Sequence, residues 1–212
     1  MQEGRPSTTA QRVAIRRAGH QLRDQPPVFA DPLALRIIGA EAADAVRAGV
    51  SAGEPSGARA LRTFIAVRSR LAEDELARAV ERGIRQYVVL GAGLDTFAYR
   101  NPYPGLRVFE IDHPDTQRWK REVLAAAGIG IPDSLGFAPV DFSRETLVDG
   151  LARTAFSPGD GAFFSWLGVT PYLKPHLTLD TLRRIAELGP RNAIVFDYAR
   201  PRSSLGLVQR LA

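Results

Sequence analysis

The stretch Leu90-Gly91-Ala92-Gly93-Leu94-Asp95-Thr96 places two glycines one residue apart, directly after the apolar run from Gln86 to Leu90. In an open α/β sheet the first strand-to-helix turn is where ligands bind, because backbone there can come close to a molecule lying across the carboxyl ends of the strands. A dinucleotide fingerprint needs a third glycine for tight helix packing beside a pyrophosphate. Thr96 stands at that position, which argues against a nicotinamide-dependent dehydrogenase. The Walker A pattern fails as well, since no G-K-[ST] follows. Gly91 and Gly93 therefore suit close backbone approach to a ligand that need not carry a diphosphate.

Three further positions carry chemistry. Asp112 ends the run Glu110-Ile111-Asp112, 21 residues after Gly91. A carboxylate there can accept both hydroxyl protons of a ribose, or it can cap the helix opened by Pro114. Asp141-Phe142 follows a weaker apolar run and offers an acceptor and a flat ring suited to an adenine, although a phenylalanine there also suits the core. Arg68 falls on an apolar helix stripe with Asp74 and Glu75 six and seven residues away. A guanidinium in such a place must be paired or reach solvent. A bound carboxylate gripped in a bidentate fork would pair it, and so would an acid from elsewhere in the fold.

The elements that must hold these residues follow from periodicity and punctuation. Apolar runs at Gln86 to Leu90, Arg107 to Ile111, Ala162 to Val169 and Ala193 to Phe196, with a weaker one at Phe137 to Val140, read as strands. Helical patterns at 114–127, 144–154 and 176–188 separate them. Continuous apolar strands alternating with helices indicate a doubly wound, mainly parallel α/β sheet covered on both faces. Upstream, the chain reads as a helical arm: a helix capped at Thr8 or Thr9 running to about Leu22, a second from Leu33 to about Ala48 after Asp31-Pro32, and a third from Ala58 to Glu81. In the last, Leu61, Phe64, Ile65, Leu71, Ala72, Leu76 and Ala79 form one stripe. Residues 49–57, rich in Gly, Ser and Pro, read as a flexible loop or hinge. The division is thus an arm over 1–84 and a ligand-binding core over 85–212, within one domain.

Composition narrows the classes. The 212 residues hold no cysteine, and the three histidines, His20, His113 and His176, lack metal-ligand spacing, so no metal is expected. The net charge of +5 could suggest nucleic acid, but the excess lies at the ends. Residues 1–30 and 199–212 each carry +3, and the 168 residues between carry −1. That is not the one-faced stripe of a phosphate-tracking surface, so no nucleic-acid partner is expected. The amino terminus has no apolar segment of signal-peptide type, and no stretch is long enough to cross a bilayer. A cytoplasmic protein without a membrane partner is the expectation.

Ribose, adenine and an amino-acid carboxylate without a diphosphate together describe S-adenosylmethionine. The string from Val88 to Arg100, then Val108-Phe109-Glu110-Ile111-Asp112-His113-Pro114, then Asp141-Phe142, closely resembles the leucine carboxyl methyltransferase-like family, which includes O-methyltransferases of the tetracenomycin type. Arg17-Ala18, Phe29-Ala30-Asp31-Pro32-Leu33 and Arg68-x-Arg70 fit its N-terminal arm, and the likeness spans about residues 8–200. The resemblance implies a class I methyltransferase fold, with Gly91 and Gly93 against the methionine part of the cofactor, Asp112 on the ribose, and Asp141 with Phe142 on the adenine. It also implies Arg68 on the cofactor carboxylate, Arg17 as its helper, and Tyr172 near the methyl-transfer centre against a small-molecule substrate. A core-covering aromatic is the other reading of Tyr172.

Two departures from the family stand out. An acidic residue commonly precedes the glycine after the fourth strand, and here Leu167 precedes Gly168. The family sheet has seven strands, and here the recognisable runs end with the fifth, which would leave an edge open to pairing in a homodimer. The expected activity is an S-adenosylmethionine-dependent O-methyltransferase acting on a small molecule or a carboxylate. The competing readings are a cofactor-binding relative without turnover and an RNA methyltransferase.

Overall fold

The computed structural model describes residues 7–51, 55–142 and 144–200. Along these residues the helices are α1 (Thr8–Arg23), α2 (Ala34–Ile37), α3 (Ala40–Ala48) and α4 (Ser56–Glu81), followed by β1 (Gln86–Leu90), β2 (Arg107–Asp112), α5 (Pro114–Ala126), β3 (Leu135–Pro139), α6 (Leu147–Ala152), β4 (Phe163–Trp166), α7 (Pro175–Glu187) and β5 (Ala193–Phe196). Every strand pair is parallel, in the order β3-β2-β1-β4-β5. This is the doubly wound α/β sheet expected from the alternation of apolar strands and helices, and its order reverses beside β1.

Side chains alternate across the sheet with the period of two that a strand imposes. On one face Val88, Leu90, Phe109 and Ile111 pack with Leu147 and Leu151 of α6 and Ile185 of α7. On the other, Tyr87, Val89, Val108 and Phe163 pack with Leu76 and Ala79 of α4. Since both faces of β1 are covered, all five of its residues are buried. A third cluster joins Ala14 of α1, Ile37 of α2, Leu94 of the glycine turn and Leu124 of α5, so the arm is packed onto the end of the sheet that carries the turn. Among the described residues no helix is long and apolar enough to cross a membrane.

The arm differs from expectation in four places. Ser7, one residue earlier than Thr8, caps α1 by accepting the N–H of Ala10. The single helix expected from Leu33 to Ala48 is two, because Gly39 takes a φ of 81° and breaks the ladder. Asp31 still accepts the N–H of Leu33 at 3.0 Å, as the Asp-Pro signal suggested. Of the expected hinge, 49–51 is a 3-10 turn and Gly57 is already in α4, while 52–54 lie outside the described residues. The α4 stripe divides. Ile65, Ala72, Leu76 and Ala79 are buried, whereas Leu61, Phe64 and Leu71 are 44%, 48% and 50% exposed. Periodicity marks an apolar face but not which part of it a neighbour covers, and α1 packs on the side that includes buried Arg62.

Glu110, in the middle of β2, is fully buried and pairs with Lys120 of α5 at 2.7 Å. Its second oxygen, Oε1, has no hydrogen-bond partner. Burial pushes its carboxyl up to about 7 against the pull of Lys120. An unfolded chain releases this proton near the ordinary carboxylate value, so between that value and about 7 the folded chain binds the extra proton. Stability from this group is therefore present at low pH and is lost as pH rises through that window. Urea unfolding at about pH 5 and about pH 7.5 should show a fall in stability that is smaller in Glu110→Gln by roughly 1–3 kcal/mol. Equal falls in parent and variant would refute the assignment.

Candidate functional site

The glycine turn is fastened to the neighbouring strand before any side chain is considered. The N–H groups of Gly91 and Ala92 both reach the carbonyl of Ile111, at 2.8 and 3.2 Å. Gly91 and Gly93 have φ of 67° and 45°, in the region that disfavours a side chain. Space excludes one too. A Cβ at Gly91 would lie 2.4 Å from Val169 Cγ2, and one at Gly93 would lie 2.9 Å from Ala10 Cβ of α1. The two glycines thus allow the loop after β4 and the arm to close on the turn, leaving a cavity of about 810 Å³ between them. That is within the size range of small-molecule sites. Arg17, Arg68, Gly91, Gly93, Asp112, Asp141, Phe142 and Tyr172 all line it, so the structure gathers every residue singled out from sequence around one cavity.

Asp112 is turned into this cavity and does not cap a helix. Its Oδ2 accepts the N–H of Gly93 and its Oδ1 the N–H of His113, both at 2.7 Å. The capping role belongs to His113, whose Nδ1 accepts the N–H of Asp115. Burial raises the Asp112 carboxyl, and the two backbone donors act against that rise. Each carboxylate oxygen keeps a lone pair for a hydroxyl donor. Asp141 closes the turn after β3, its carbonyl accepting the N–H groups of Arg144 and Glu145. Phe142 is 51% exposed, so it is a rim residue and not part of the core. Tyr172, at 72% exposure, likewise stands free of the core at the cavity mouth, in the 3-10 turn Thr170–Tyr172.

Both arginines are already engaged. Arg17 donates to the carbonyl of Leu94 at 2.6 Å and pairs with buried Asp31 at 2.8 Å. Arg68 donates through Nη1 to Asp197 at 2.6 Å and lies over the ring of Phe64. Of the two partners open to Arg68 from the sequence, an acid from elsewhere in the fold is therefore present, and it occupies one of the guanidinium's five donors. Asp197 was not singled out in advance. It follows β5, and its Oδ1 accepts the N–H of Gly168 at 2.7 Å. The family's usual acid before Gly168 is Leu167 here, and the next strand supplies a carboxylate to that glycine. An acidic residue at the carboxyl end of an apolar strand, Phe196-Asp197, was the available signal.

Further acidic groups complete the wall on the α4 side. Glu73 is gripped by both terminal nitrogens of Arg100, and burial still pushes its carboxyl up. Asp95 accepts the N–H of Phe97 at 2.8 Å. Tyr87 donates to Ser165 at 2.8 Å at the cavity floor, and its phenol is pushed up mainly by burial. Among the described residues no group of three or more His, Cys, Asp or Glu could hold a metal ion.

A parallel sheet with a cavity at its switch point is the arrangement of doubly wound α/β proteins, which bind their ligands there. Residues 10–186 match the family model described as leucine carboxyl methyltransferase, and the chain belongs to that family. YktD of Bacillus subtilis (strain 168) is 39% identical over 135 residues, 62% of this chain and 44% of YktD. A protein of Saccharopolyspora erythraea is 34% identical over 202 residues, covering 93% of this chain and 69% of that protein. One from Parafrankia sp. (strain EAN1pec) is 34% identical over 192 residues, 88% of this chain and 61% of its own length. Each bears the name "Putative S-adenosyl-L-methionine-dependent methyltransferase". The chain spans between about two fifths and seven tenths of the length of these relatives.

The Arg68–Asp197 pair is 13% and 12% exposed, so removing the acid leaves a largely desolvated cation. Asp197→Ala should cost about 3 kcal/mol in urea unfolding, the low end for breaking a buried pair. Asp197→Asn, which can still accept from Gly168, should cost less. Identical losses in the two variants would show that the hydrogen bond from Gly168 contributes nothing, and no loss in either would show the same of the pairing with Arg68.

Proposed function

We propose that this chain is an S-adenosylmethionine-dependent O-methyltransferase acting on a small molecule or a carboxylate acceptor. The observation that carries this reading is the Asp112 carboxylate, held on two backbone N–H groups beside the glycine turn and open to the cavity. The lining fits the donor part by part. Asp112 suits a ribose, Asp141 and Phe142 suit an adenine, and Gly91 and Gly93 of the turn, which line the same cavity, suit the methionine part. When bound, the cofactor supplies a methyl group activated by a sulfonium.

The protein's own contribution is placement. In-line displacement at carbon needs the acceptor oxygen held near the methyl group with water excluded, and such positioning is worth on the order of 7–11 kcal/mol in favourable cases. Tyr172 at the mouth and Val169 against Gly91 are placed to orient the acceptor from the loop after β4. A carboxylate is nucleophilic at neutral pH without a base. His113 Nδ1 is already used as a cap acceptor, and among the described residues no histidine lies within ion-pair distance of a carboxylate that lines the cavity, which favours an acceptor that is already ionised. A cytoplasmic setting suits the cysteine-free composition.

Calorimetric titration with S-adenosylhomocysteine should show micromolar binding. Asp112→Ala and Arg68→Ala should each lose about 1–3 kcal/mol of it, as for a charged hydrogen bond. Absence of binding in the parent sinks the proposal, and binding without turnover on carboxylate and phenol acceptors would favour the non-catalytic relative. Binding of RNA that weakens steeply with salt would instead point to a nucleic-acid substrate.

A second proposal concerns self-association. Among the described residues β5 pairs only with β4, and Phe196 and Tyr198 beside its free edge are 36% and 71% exposed. A second copy would satisfy that edge. Sedimentation should then show a concentration-dependent dimer that a charge at Phe196 (Phe196→Lys) dissociates, and a monomer at all concentrations would refute it.

A further inference from the structure

Residues 24–31 join α1 to α2 and deliver Asp31 to the place where it meets Arg17, Thr96 and Arg100. Two neighbouring side chains of α1 hold this segment, and neither lines the cavity. Gln21 donates to the carbonyl of Phe29 at 3.0 Å and accepts the N–H of Asp31 at 2.9 Å. His20 Nε2 accepts the N–H of Phe29 at 3.2 Å. The Phe29 ring is buried, with the Arg100 guanidinium 5.2 Å from its centre. His20 itself is 1% exposed, and both of its ring nitrogens are committed. A backbone N–H can only donate, so the Nε2 that faces Phe29 must carry a lone pair. The ring proton is then on Nδ1, which donates to Asp24 at 2.5 Å. A second proton has only Nε2 to go to, where it would point at the N–H of Phe29. The bond to Phe29 therefore exists only while the ring is neutral.

The surrounding charges keep it neutral. Among the described residues Asp24 is the one acid within ion-pair distance of the ring, and Arg62 of α4 is bonded to the same oxygen, Oδ2. Asp24 thus already has a cation. Arg23, in the last turn of α1, adds a second positive charge near Arg62, and Arg17, one turn before His20, is tied to Asp31. From α2, Arg36 reaches the carbonyls of Ala127 and Gly128. On α3, Asp44 and Arg47 pair with each other at the surface and Glu41 is exposed. Burial first, and then the charge of Arg62, hold the His20 value below its ordinary one. The folded chain therefore gives up this proton more readily than the unfolded chain. The stability that comes from the neutral ring is complete above the ordinary histidine value and is lost as pH falls through the lower, folded one.

We propose that neutral His20 is a positioning residue of the cavity: it latches residues 24–31 to α1, sets Asp31 against the glycine turn, and releases both on taking up a proton, so that ligand affinity falls in acid. Asp31 is the link, because it meets Thr96 beside the turn and also Arg17, which goes on to the carbonyl of Leu94. The effect on the ligand rests on the cofactor reading above, whereas the latch itself stands without it.

The test reads the ring, the segment and the ligand separately. Nitrogen-15 NMR of the imidazoles, with His20 assigned through its own backbone amide, should show the ring proton on Nδ1 at about pH 7.5. A proton on Nε2 or an imidazolium at that pH overturns the proposal, as does a ring that stays neutral until the whole chain unfolds. Hydrogen exchange of the 24–31 amides, corrected for its intrinsic pH dependence, should rise with the same midpoint as the ring signal, and a different midpoint or no rise overturns the latch. His20→Gln sets an amide oxygen, which takes no proton in this range, in reach of the Phe29 N–H, and the rise should vanish in it. An equal rise in the variant overturns the proposal. By calorimetry, S-adenosylhomocysteine should lose about threefold to tenfold more affinity in the parent than in the variant, between about pH 7.5 and about one unit below the ring's midpoint. That factor is the worth of one buried hydrogen bond, and equal losses overturn the positioning role. Should the variant fail to fold, the shared midpoint of ring and exchange in the parent still decides. A parent that binds no nucleoside at either pH refutes the cofactor reading, and the ring and exchange measurements then decide the latch alone.

Discussion

Asp31 is the group on which the arrangement of the cavity depends. Its side chain is completely buried; it accepts hydrogen bonds from Thr96 of the glycine turn at 2.8 Å and the N–H of Leu33 at 3.0 Å, and it forms ion pairs with Arg17 of α1 at 2.8 Å and Arg100 at 3.5 Å. A buried carboxylate without such partners would be costly. With them it fixes the arm against the turn. Arg17 then continues to the carbonyl of Leu94 and Arg100 to Glu73 of α4, so α1, the turn and α4 form one hydrogen-bonded wall. The cavity is the space which that wall leaves over the ends of β1 and β2.

Within this frame the charged residues divide by task. Pairs that hold elements together are buried and closed on each other, while Asp112, facing the cavity, rests on two backbone N–H groups, which position it without forming an ion pair. Glycine extends the same economy to shape. Gly91 lets Val169 come close and Gly168 lets the Arg68 guanidinium lie against the β4 loop, where a Cβ would meet Nη2 at 2.8 Å. The walls approach each other at positions that carry no side chain.

Much of this was legible in the sequence, for identifiable reasons. β1 and its turn were readable because the buried strand leaves an apolar run, Tyr87 to Leu90, ending in glycine. That Asp112 is not the helix cap needed coordinates, because the cap is His113, a residue type outside the usual capping set. Gly39 was overlooked as a breaker inside an otherwise helical pattern. The stripe on α4 was real as a periodicity but says nothing of what covers it, so Leu61, Phe64 and Leu71 were expected inside. Asp197 could not be paired with Arg68 in advance, since 129 residues separate them and a long-range ion pair leaves no local trace. The capping box of Thr146 and Asp149 explains why α6 starts later than the helical pattern suggested.

That separation of 129 residues also has a bearing on how the protein is made. Chains emerge from the ribosome amino end first, so α4 and the glycine turn are outside long before β5. Until then Arg68 lacks its acid, and the backbone N–H of Gly168 lacks its acceptor. Closing so long a loop is slow compared with forming the helices of the arm. The ligand crevice therefore cannot close before Asp197 has been made, and a nascent chain that stalls earlier carries an arginine without its acid and an unfinished pocket.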